Sequence, residues 1–115
     1  WLDLSSSGDS IIRNERVDPV ISKKTLYYFA ENYLDGALPT TQLASPLFAE
    51  LNDLPPILLQ VGDMEMLFDD SIRLKEKAAD YDIQLELKIW NKMVSVFSNE
   101  RSPFVQNAKL RKIKI

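Results

Sequence analysis

The sequence predicts an α/β fold, and three adjacent stretches carry that prediction. Ile57-Leu58-Leu59, extended by Val61, is a continuously apolar run of strand length. Residues 66–81 then place Leu67, Ser71, Leu74, Ala78 and Tyr81 along one helical stripe. Ile83 to Trp90 follows, with apolar residues at the odd positions, as in a strand with one wet face near a sheet edge. Strand, helix and strand in this order read as a βαβ unit, whose strands should be parallel and whose crossover should be right-handed.

The other elements follow in chain order. Trp1-Leu2-Asp3-Leu4 reads as the end of a strand. Ser5 to Arg16 is a polar connector without helical period. Asp18 is a good helix N-cap, and Pro19 suits a first helical position, where a missing N–H costs nothing. The spacing predicts a helix over 19–34, with Leu26, Phe29, Ala30 and Tyr33 on one face. Asp35-Gly36 should end it, Gly36 taking the left-handed conformation. Residues 37–53 read as loop, broken by Pro39 and Pro46, with a short helical turn near 46–51. In the 66–81 helix, Arg73, Lys75, Glu76, Lys77 and Asp80 occupy the outer faces. Asp69 and Asp70 lie in its first turn, where the helix dipole favours negative charge. Residues 91–100 read as a turn. Ser102-Pro103 then opens a final helix near 103–112, with Phe104 and Ala108 inward and a basic end from Lys109 to Lys114.

Composition narrows the chemistry. At 45% apolar and 27% charged residues, the chain is ordinary globular material, read as a single partial domain over 1–115. Lys and Arg number 14 against 17 Asp and Glu, a net charge of −3, which gives no footprint for nucleic acid. No apolar run reaches the length of a membrane span. The absence of cysteine excludes disulfides and thiolate metal sites; it suits a reducing compartment, and a cytoplasmic location is the expectation. No cofactor or metal is expected. The chain also has no histidine, so no Ser-His-acid or Cys-His chemistry can be contained within it.

Three stretches invite a catalytic reading. Gly8-Asp9-Ser10 suggests a serine nucleophile, but Ile12 stands where Gly-x-Ser-x-Gly needs its second glycine, and no buried strand runs into it. It is read as loop. Glu65 lies in the turn after the apolar strand, at the carboxyl end where ligands collect in open α/β sheets. Taken alone, an acid there is as well explained as a helix cap. Asp69 and Asp70 complete an acidic group read as caps rather than a metal site. Trp90 to Phe97, taken alone, is a strand end and a turn.

Taken together, these stretches resemble the C-terminal part of the hormone-sensitive-lipase-like branch of the α/β-hydrolase fold, a family of carboxylesterases and lipases. The resemblance spans nearly the whole chain. It is strongest over Ala44-Ser45-Pro46-Leu47-Phe48-Ala49 and over Leu54 to Ser71, where Leu54-Pro55-Pro56 leads into the strand. Trp1 to Leu4, Asp18-Pro19 and Tyr33-Leu34 also resemble family landmarks. The resemblance implies an incomplete parallel sheet and ester hydrolysis in the family. It puts Glu65 at the position of the triad acid.

In such a triad the serine attacks, the histidine moves its proton, and the acid orients and stabilises the histidine. The family's histidine stands in a Trp-Pro-Gly-Met-Pro-His-Val-Phe-like turn. Trp90, Met93, Val96 and Phe97 match that turn, but Ser95 occupies the histidine position, and Asn91, Lys92 and Val94 also depart from it. A hydroxyl cannot replace imidazole as a base near neutral pH. Losing one such triad member costs on the order of 10⁶ in turnover. The family's nucleophile and oxyanion motifs are expected upstream of Trp1. The resemblance therefore implies a truncated or degenerate esterase segment, inactive by itself, with an ester substrate only in a complete parent. The alternative is an interaction module that dimerises through strand 83–90.

Overall fold

A computed structural model describes residues 1–95 of the chain. The predicted helix near 103–112, the basic end and Val96-Phe97 lie outside the described residues. The βαβ unit is present. Strand β1 (Ile57–Gly62) pairs in parallel with β2 (Leu85–Trp90), from Ile57 opposite Leu85 to Gly62 opposite Trp90. Helix α3 (Phe68–Ala78) lies between them in sequence and ends in a 3₁₀ turn, Ala79–Tyr81. Asp82, at φ 53°, turns the chain toward β2. Earlier in the chain are a one-turn helix α1 (Ser10–Arg13), helix α2 (Lys23–Leu34) and a 3₁₀ turn at Pro46–Phe48.

Two apolar clusters hold these elements. The larger lies between the sheet and α3: Leu74, Ala78 and Leu85 meet Leu47 and Leu51, with Ile57, Leu59 and Leu87 packed against them. Ser71, Leu74 and Ala78 are buried, so the predicted stripe of α3 does face the core. The smaller cluster joins Ile11, Leu26 and Met66, with Ile21 and Leu67 alongside. Met66 has no exposed surface and pins the turn after β1 onto α1 and α2.

Several sequence expectations are corrected. Trp1 to Leu4 forms no strand. Leu2 and Asp3 instead donate their N–H groups to Asp70 Oδ2, at 3.0 and 3.1 Å. The connector 5–16 contains α1. Helix α2 begins at Lys23, not 19, because Ser22 is its N-cap and accepts from the Thr25 N–H at 3.2 Å. Asp18 is not a cap. Leu26 and Ala30 are buried in α2, but Phe29 and Tyr33 are 57% and 70% exposed, so the buried stripe is narrower than predicted. The end of α2 is as expected: Asp35 is the C-cap at φ 44°, and Gly36 takes the left-handed side at φ 86°. Strand β1 is not covered on both faces, since Leu58 is 38% exposed. The alternation in β2 holds through Leu87 and fails at Ile89, which is 51% exposed.

Candidate functional site

The carboxyl ends of β1 and β2 are fastened together by backbone. Asp63 N–H donates to the Trp90 carbonyl at 3.1 Å, and Met64 N–H to the Met93 carbonyl at 3.0 Å. The Asp63 carboxylate accepts the Lys92 N–H at 2.7 Å. Gly62 permits this approach. A Cβ at that position would stand 2.3 Å from the Met93 carbonyl oxygen, closer than any real contact. The absence of a side chain at 62 therefore seats the loop carrying Met93 and Ser95 against the turn carrying Glu65.

Glu65 sits within that turn, half-buried. Its Oε1 accepts the Gly62 N–H at 2.7 Å. Asn14, buried after α1, donates its side-chain amide to the carbonyls of Asp63 and Glu65, at 3.1 and 2.7 Å. Burial pushes the Glu65 carboxyl above its ordinary range. The Gly62 N–H opposes the shift, and the negative charge of Asp18 adds to it. Glu65 and Asp18 are thus two carboxylates sharing one site.

Asp18 is 5% exposed and fully engaged. Its Oδ2 accepts the Met66 N–H at 3.0 Å and the Ser95 hydroxyl at 2.5 Å, and its Oδ1 accepts the Val20 N–H at 3.1 Å. Ser95 is 7% exposed. The two positions singled out in the sequence, 65 and 95, are linked through Asp18, whose Oδ2 accepts both the Ser95 hydroxyl and the N–H of Met66, the residue after Glu65. The sequence contained a sign of Asp18, an acid before proline, and that sign reads equally well as a helix cap.

Gly8-Asp9-Ser10 is structural. Ser10 is 1% exposed; its Oγ donates to the Met66 carbonyl at 2.7 Å and accepts the Asp69 N–H at 2.9 Å. Leu67, the residue before α3, offers no capping side chain, so Ser10 satisfies a first-turn N–H from across the fold. Asp69 and Asp70 are not caps of their own helix. Asp69 accepts from Ser10 N–H at 2.8 Å and pairs with Arg13 at 2.8 Å, while Asp70 holds Leu2 and Asp3. Among the described residues, no three acidic side chains are arranged to hold a metal ion.

A family model described as an α/β-hydrolase fold matches residues 1–99. The chain belongs to this α/β-hydrolase family. An esterase of Acinetobacter venetianus is 38% identical over 98 residues, and an acetyl-hydrolase of Streptomyces hygroscopicus 34% identical over 97. Each alignment covers 84% of this chain and 32% of the relative. Among solved structures, an esterase from the bacterial hormone-sensitive lipase family superposes with a TM-score of 0.82 at 38% identity, over 85% of this chain and 33% of that one. A hormone-sensitive lipase from a metagenome library gives 0.81 at 36%, over 84% and 33%. The hormone-sensitive-lipase-like resemblance seen in the sequence is therefore met. The chain spans about a third of the length of the curated relatives it matches.

Proposed function

We propose that this α/β-hydrolase segment carries the acid turn of an esterase-type site, with Glu65 in the role of triad acid, and that the chain does not hydrolyse esters by itself. The observation behind this is Ser95. The position expected to carry an imidazole is docked on the Glu65 turn but bears a hydroxyl, already engaged with Asp18. No histidine elsewhere in the chain can take its place. Ser10, in the stretch that suggested a nucleophile, has its Oγ tied to the Met66 carbonyl and the Asp69 N–H, and the chain has no imidazole to serve it as a base.

The test is a short-chain aryl ester assay on the chain. The expected result is hydrolysis no faster than buffer. Hydrolysis above background that disappears in Glu65→Gln would overturn the inactive reading. A second reading, an interaction module that dimerises through strand 83–90, draws support from the exposure of Ile89 on β2. Sedimentation of the native chain beside Ile89→Lys tests it. A dimer that the substitution leaves intact counts against that surface.

A further inference from the structure

We propose that Asp18 is a positioning residue for position 95, so that this position lies between two carboxylates, Asp18 and Glu65, rather than facing one acid. The inference deepens the reading above and rests on it in taking position 95 as the histidine position. Asp18 bridges two elements of the site with one oxygen. Its Oδ2 holds the Met66 N–H, one residue after Glu65, and the Ser95 hydroxyl. Its other oxygen is tied to Val20 in its own connector. The carboxylate therefore cannot leave one partner without disturbing the other.

The surroundings show that this contact is built. Asp18 and Ser95 are both buried, and Met66 is fully so. The chain spends a buried acid on the contact, an expensive choice unless every lone pair has a use. Asp18 also lies close enough to Glu65 for the two charges to repel. A neutral hydroxyl at 95 relieves none of that repulsion, whereas a cationic side chain there would be favoured by both acids. The other charged groups at the site are Asp63, bonded to the Lys92 N–H, and the exposed Lys92.

The experiment places an imidazole at the site. Ser95→His introduces the chain's single histidine, so its ring protons are unambiguous in NMR. Its titration midpoint is expected above the usual value of about 6.5. Adding Asp18→Asn should lower that midpoint by about one pH unit, as removal of a near opposite charge does. A purely structural role for Asp18 would leave the midpoint unmoved in a folded chain. Glu65→Gln is the second arm. If Glu65→Gln moves the midpoint and Asp18→Asn does not, the inference fails and the triad-acid reading stands. If only Asp18→Asn moves it, the inference stands and the triad-acid reading fails. If neither does, both fail.

Should Ser95→His not fold, a double-mutant cycle in urea decides the matter. Ser95→Ala should lower the unfolding midpoint in the native background and lower it less when Asp18 is already Asn. Equal shifts in both backgrounds would overturn the proposal.

Discussion

Gly62 is the residue on which the site geometry most depends. Its missing side chain leaves room for the Met93 carbonyl, and through it for Ser95. Gly62→Ala is expected to force the two loops apart and to cost about 3 kcal/mol, the upper end of overpacking penalties. Urea denaturation measures that loss. Glu65 gives the opposite expectation. Its folded carboxyl titrates above the ordinary value of 4.5, chiefly through burial, so the protonated form is the one the fold favours. That contribution is fully present below pH 4.5 and is lost as pH rises through the folded value. Above the folded value the native chain holds a disfavoured charge. Glu65→Gln, which can still accept the Gly62 N–H, should therefore unfold at a higher temperature than the native chain at pH 7. The gap should close as pH falls toward 4. A gap that stays constant with pH would contradict the assignment. The proposed role of Glu65 came only from the family resemblance; its place in the turn after β1 was legible in the sequence, because an acid just past an apolar strand stands out. Asp18 was not, because a local cue cannot reveal a partner 77 residues away in Ser95.

At the scale of elements, the sequence was reliable where periodicity was enforced by burial. The α3 stripe and the parallel β1–β2 pairing were foreseen for that reason. It was less reliable where a local signal met a tertiary demand. Asp18-Pro19 reads as the start of α2, but Met66 and Ser95 occupy Asp18, and the helix begins after Ser22 instead. Ser22→Ala should accordingly cost about 1 kcal/mol through loss of the cap, read as reduced helicity and a lower unfolding midpoint. The N-terminal segment gives another instance. Asp3 has no exposed surface and accepts hydrogen bonds from Ser5, Ser7 and Arg73. Burial works to raise its pKa, but those bonds together outweigh it and hold the carboxyl below 3.8. Its contribution is present above pH 3.8 and lost as pH falls through the lower folded value. Asp3→Asn should therefore reduce stability at neutral pH and flatten the acid limb of the pH–stability curve. Trp1 to Leu4 looked like a strand because it is apolar and short. It is held instead by side chains of α3, an arrangement no local pattern encodes.

At the scale of the molecule, the sheet shows how the described residues meet their surroundings. Among the described residues it has two strands, and β1 is paired there on one edge only. Ile57 N–H bonds the Gln84 carbonyl, so odd residues of β1 face β2 and the backbone groups of Leu58 and Gln60 point to the other edge. Leu58 and Leu54 are 38% and 44% exposed on this strand and its approach, and Tyr27, Tyr28, Phe29 and Tyr33 are exposed on α2. An open, apolar strand edge is a template for another strand. The chain in isolation should therefore self-associate as its concentration rises, through β1 rather than through the polar face of β2. Sedimentation velocity over a dilution series reads this directly. Leu58→Lys places a charge on the open strand and should shift the population toward monomer. Ile89→Lys on β2 should have little effect if β1 is the associating edge. A chain that stays monomeric and folded at every concentration would show that the open edge is tolerated. Association abolished by Ile89→Lys and untouched by Leu58→Lys would transfer the surface to β2. The two substitutions together thus choose between the strands.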